Sequence, residues 1–153
     1  MTPEQQELIR ESWQRFEPKI KRASPQFYER LFALDPAVRR LFAGVNMAEQ
    51  ERKLMAMLKE IVRVLDRLTD LVAGVASLGR RHVHYGVKDG DYESVGAALL
   101  WTLEQMLGDD FTPEVRAAWS EAYLTIATIM RRAAVREVLT GERSAVKPSG
   151  GAA

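Results

Sequence analysis

The chain is cut into helix-length pieces by prolines that follow a capping side chain. Thr2-Pro3, Ser24-Pro25, Asp35-Pro36 and Thr112-Pro113 each place an oxygen-bearing residue before one whose fixed φ suits a first helical turn. Thr2 and Gln5 also have the spacing of a capping box. Behind these starts, apolar residues recur every three or four positions: Ile9, Trp13, Phe16 and Ile20, then Phe27, Tyr28, Leu31 and Phe32. A short third helix is expected from Pro36 to about Phe42. Asn46 with Glu49 opens a long one to about Leu68, striped by Leu54, Leu58, Ile61, Leu65 and Leu68. Further helices are expected from about Asp70 to the histidines, from Asp91 to about Leu107, and from Thr112-Pro113 along Val115, Trp119, Ala122, Ile126, Ile129 and Ala133. No segment shows the alternation of a strand. The pattern predicts an all-α domain of roughly seven helices over residues 1–140, with a small, polar and disordered tail at 141–153.

Composition narrows the function. A net charge of +1 gives no electrostatic reason to expect nucleic acid or an acidic membrane surface as partner. No run of about 18 apolar residues occurs, and the polar N-terminus resembles neither a secretory signal nor a transit peptide, so a cytoplasmic location is expected. With no cysteine there is no disulfide, thiol nucleophile or iron–sulfur ligand. "GVASLG" is not a nucleophile elbow, because Val75 stands two residues before the serine where that motif needs glycine, and no phosphate-cradling glycine loop is present.

The two histidines lie together in "VASLGRRHVHYGV". Leu71, Val75 and Leu78 step along one helix face and His82 follows at the same spacing. His84 diverges from it by about 200° and is expected toward solvent or the next turn. His82 has two readings: a half-buried histidine near a helix C-terminus, where the dipole favours a cation, or an axial metal ligand. One histidine cannot make a zinc site. If it binds metal, a porphyrin with four nitrogens of its own is the natural source of the rest. Gln50 falls on the apolar stripe of the long helix, and Tyr28 lies between Phe27 and Leu31. Each alone is explained by a wet first turn or a core tyrosine with its hydroxyl at the surface. Together with His82 they place one polar group on each of three apolar helices.

The motifs "FYERLFALDPAVRRLF", "QERKLM", "SLGRRHVHYGV", "YESVGAALL" and "AAWSEAY", in this order and spacing, resemble the globins, specifically single-domain bacterial globins close to neuroglobin-like and flavohaemoglobin-type sequences. The resemblance implies a globin fold around a haem pocket, without the short D helix, and haem b as cofactor. It implies His82 as the proximal iron ligand, Phe42 as the ring stacked on the haem, and Gln50 and Tyr28 as the distal pair. Leu54 matches the apolar residue over the ligand; Leu78, Val87 and Val95 match proximal haem contacts. Tyr92 matches a proximal tyrosine. Lys53 either reaches a haem propionate or is a solvated helix lysine, and Arg81 and His84 are expected toward solvent.

The implied function is tight dioxygen binding, with CO and NO as further ligands, at a five-coordinate iron. The Tyr28 hydroxyl and Gln50 amide are donors toward a bound diatomic molecule, which suits conversion of nitric oxide to nitrate. Two departures bear on turnover. Flavohaemoglobins carry a reductase after the globin domain, so here a separate reductase is expected. They also pair the proximal tyrosine with a glutamate, whose place is held by Ala134, with Glu137 nearly a turn further on. Oxygen storage or supply, gas or redox sensing, and a haem-free scaffold are the alternatives, and both a monomer and a weak dimer suit such a globin.

Overall fold

The computed structural model describes residues 1–67 and 72–144, with backbone alone for residues 84 and 141–144. Its helices are α1 (Pro3–Phe16), α2 (Ile20–Leu34), α3 (Met47–Arg63), α4 (Val72–His84), α5 (Asp89–Leu107) and α6 (Pro113–Ser144). Two short 3-10 segments complete the front half: Glu17–Lys19 joins α1 to α2, and Pro36–Phe42 follows α2. Among the described residues there is no strand, and no helix is long and apolar enough to cross a membrane. The expectations for Leu68, Asp70, Leu71, the His84 side chain and residues 145–153 lie outside the described residues. Helix α6 runs to Ser144, four residues past the expected domain end at 140.

Three predicted starts are seen as drawn. Thr2 and Gln5 form the reciprocal capping box: the Gln5 amide donates to Thr2 Oγ1 at 3.1 Å and the Thr2 amide to Gln5 Oε1 at 2.8 Å. Asn46 Oδ1 accepts the Glu49 amide at 3.1 Å, and Thr112 Oγ1 accepts the Val115 amide at 3.2 Å. Each satisfies a first-turn N–H that the helix itself leaves unpaired.

Ser24-Pro25 does not start a helix. Helix α2 begins at Ile20, Pro25 lies inside it, and the Ser24 hydroxyl donates to the Ile20 carbonyl at 2.9 Å. An interior proline forfeits a backbone bond and crowds the preceding turn, at about 3 kcal/mol. Ala23, Phe27 and Leu31 are buried on the same helix, which continues through that position. The expected third helix, Pro36–Phe42, is 3-10. Asp35 makes no cap there; its carboxylate accepts the Ser94 hydroxyl from α5 at 2.8 Å.

The main core joins α1, α2, α5 and the first half of α6. Trp119 Nε1 donates to Ser12 Oγ at 2.9 Å, and Ser12 donates to the Ile9 carbonyl at 3.0 Å. All three residues are buried, so the indole N–H is satisfied without water. A second cluster, Val75, Tyr92, Ile126, Ala127 and Met130, ties α4 to α5 and α6. Leu54, Leu58 and Ile61 on α3 are only half-buried, because they face a space between the two clusters.

Ser12→Ala is expected to lower unfolding free energy by about 1–3 kcal/mol, the penalty of leaving the buried Trp119 N–H unpaired. Urea denaturation of the two proteins, compared at equal slope, checks it.

Candidate functional site

The space between the clusters is a cavity of about 200 Å³ walled by α3, α4, α5 and α6. Leu54, Leu58 and Ile61 come from α3, and Leu78 and His82 from α4. Val87 after α4, Tyr92 and Val95 from α5, and Ile126 and Met130 from α6 close the other sides. The lining is apolar apart from His82, Asp91 and the polar edges of Tyr and Trp rings.

His82 is the group with chemistry. Its Nδ1 lies 2.7 Å from the Leu78 carbonyl, one turn back on α4. A ring that donates from Nδ1 carries its lone pair on Nε2. Burial pushes the imidazole below its ordinary pKa; the Leu78 bond works the other way, and the Arg81 charge adds to the lowering. The ring is therefore neutral at pH 7, the state in which histidine binds metal, whereas a dipole-stabilised cation would need the opposite shift. The turn behind it is closed by the Val87 amide on the His82 carbonyl at 3.0 Å and by Gly86 at φ 87°. Among the described residues no group of three or more His, Cys, Asp or Glu side chains could hold a metal ion. Any metal on His82 must bring its other ligands with it.

Tyr28, Gln50 and Phe42 are brought together, though none lines the cavity itself. Tyr28 is buried and hydrogen-bonded to the Gln50 side chain. Burial raises its hydroxyl to about 12, against the opposing effect of Gln50, so it stays protonated. Phe42 meets Tyr28 edge-on with ring centroids 5.5 Å apart. Neighbouring residues Phe27 and Leu41 do line the cavity, so this aromatic group stands directly behind its wall. Lys53 and Arg81 are exposed.

Tyr92 is buried against the cavity, and its hydroxyl has no partner among the described residues. The Arg131 guanidinium stands over its ring at 5.1 Å and donates to the Asp89 carbonyl at 3.1 Å. The residue that α6 sets over Tyr92 is thus a cation.

Sequence reading missed Asp91 and Arg40. Asp91 Oδ2 accepts both the Lys88 amide and Arg40 Nη2 at 2.7 Å, and Arg40 also reaches the Gly86 and Ala37 carbonyls. This ties the 3-10 segment to the turn after His82. In sequence Asp91 looked like any first-turn acid, and "RR" at 39–40 like a solvated pair. Tyr123, whose hydroxyl donates to the Tyr92 carbonyl at 2.5 Å, carried no signal beyond its place in "AAWSEAY".

The chain matches the globin family model over residues 25–130. It is 29% identical over 142 residues to a leghemoglobin of Medicago sativa, covering 86% of this chain and 97% of that one. It is 30% identical over 145 residues to a neuroglobin of Tetraodon nigroviridis, covering 86% and 91% respectively.

The His82 shift predicts an acid dependence of the protein free of any bound group. The unfolded ring binds a proton near pH 6.5 while the folded one resists it, so stability is lost as pH falls below about 6.5. His82→Phe should flatten that part of the stability–pH curve, as measured by thermal melts between pH 7 and 5.

Proposed function

Because this chain belongs to the globin family, and is thereby an oxygen-binding haem protein, we propose that haem b occupies the cavity with His82 Nε2 as its proximal ligand. The observation that carries this reading is a neutral imidazole, fixed by Leu78, facing an apolar space whose lining carboxylate, Asp91, is already engaged by Arg40 and the Lys88 amide. Such a space suits a flat, largely apolar macrocycle. Leu78, Val87, Tyr92 and Val95 would hold it on the His82 side and Leu54 from α3, with Phe42 backing the wall beside Leu41. Lys53, exposed on α3, would reach a propionate from outside. The globin domain is residues 1–140.

When bound, the haem iron supplies the site for dioxygen and the electron chemistry that follows. The chain's own task is to hold the ligand. Tyr28 keeps its proton, and with Gln50, behind the wall that Phe27 and Leu41 form, it would offer two donors to a ligand that reaches that wall. Each such bond is worth about 0.5–1.5 kcal/mol net. Two of them favour tight binding and slow release over delivery. Glutamine is a poor iron ligand, which leaves the sixth position open. Retained dioxygen suits reaction with nitric oxide: NO, O2 and one electron balance to nitrate.

Turnover needs an electron donor, and a reductase would supply that electron. Arg131 over Tyr92 offers no carboxylate to strengthen the proximal ligand, so turnover is expected to be limited by reduction.

Tyr28→Phe and Gln50→Leu should each speed dioxygen release by about 2- to 10-fold, the span of one lost hydrogen bond. Stopped-flow release of dioxygen checks this. Fast release from the unaltered protein would assign storage or supply instead. Nitrate should form from NO at one equivalent per reduced protein, and continuously once a flavin reductase and NADH are supplied.

A further inference from the structure

Helix α4 carries His82, and its place is set by how closely it can approach α6. Gly79 is buried on the face of α4 that meets α6, three residues before His82. A methyl group at Gly79 would lie 2.5 Å from the Met130 carbonyl oxygen and 2.7 Å from its Cα. Both are backbone atoms of a helix and cannot swing aside as a side-chain tip would. Helix α4 therefore rests on the α6 main chain, at a distance only glycine permits. Glycine is a poor residue for a helix interior, so its use here serves the contact.

The same turn of α4 holds the ligand. Leu78, adjacent to Gly79, supplies the carbonyl that fixes His82 Nδ1, and Met130, the residue under Gly79, lines the cavity with His82. Around the seam, Val75, Ala127 and Met130 are packed as one buried cluster. Gly74, five residues earlier on α4 and exposed, has nothing within 4 Å of the position a methyl would take. The close approach belongs to the turn that presents His82.

We propose that Gly79 is a positioning residue for the proximal ligand: its contact with the Met130 main chain sets how deeply His82 projects into the cavity. This rests on the reading of His82 as the haem ligand. Widening the seam withdraws the imidazole with its helix and weakens the bond to iron.

The test is resonance Raman of the ferrous, ligand-free holoprotein, read at the iron–histidine stretch. Gly79→Ala should move that band to lower frequency, and Gly74→Ala should leave it in place. Ala127→Val, which thickens the same seam through side chains that can repack, should shift it in the same direction by less. That shift is required whether or not Gly79→Ala accumulates as folded protein. In His82→Gly supplied with free imidazole, the ligand is no longer tethered to α4, so adding Gly79→Ala or Ala127→Val should not move the iron–imidazole band. An unchanged band in both Gly79→Ala and Ala127→Val, with only a lower Tm, would overturn the proposal. A shift that persists in the His82→Gly background would do the same, because it would mean general distortion of the pocket. Absence of any iron–histidine band in the unaltered protein would instead overturn the assignment of His82 itself.

Discussion

An apolar cavity of about 200 Å³ is expensive to keep open. Its walls forgo the packing contacts that closure would give, and they leave apolar surface uncovered. The rest of the fold has to hold this space against collapse. The main core does so from one side, with α1, α2, α5 and α6 packed around Phe16, Phe27, Leu31 and Leu103. On the other side α4 and α5 are braced on α6 through Met130, Tyr123 and the Arg131 contact to Asp89. A bound macrocycle would recover most of that cost, so cofactor and fold are energetically one system.

Polar interactions at the cavity's edge act as ties. Arg40 and Asp91 join the 3-10 segment to the turn behind His82, with Asp91 buried and its carboxylate shared with the Lys88 amide. Truncating one partner of a pair in which one side is buried costs far more than the pair contributes net, because the remaining charge is stranded. The tie therefore restricts the His82 turn even though its net contribution to stability is small. The unpartnered Tyr92 hydroxyl is different. It is a buried polar atom, beside the cavity, with no partner among the described residues.

Much of the fold was legible because its starts are chemical. Thr2, Asn46 and Thr112 cap the helices they precede, and the stripes on α1 and α6 lie on the buried faces. Ser24-Pro25 misled, because a proline after serine reads as a start wherever it falls, while the helix, with the flanking Ala23 and Phe27 buried, continues through it. In the site, His82 was legible from its place on an apolar stripe. Its tautomer and neutral state were not, since both depend on the Leu78 carbonyl and on burial. Arg40, Asp91 and Arg131 could not be told from surface charges, because the Arg40–Asp91 pair spans 51 residues and the Arg131–Asp89 contact 42. Gly79 was visible only as one letter of a motif; the α6 backbone beneath it is a tertiary fact.

The central claim is that His82 Nε2 binds haem in this cavity, and haem titration of the purified chain followed at the Soret band tests it most directly. The account predicts saturation at one haem per chain with a five-coordinate ferrous spectrum, and loss of that proximal ligation in His82→Ala. No stoichiometric uptake, or a His82→Ala spectrum identical to that of the unaltered protein, would contradict it.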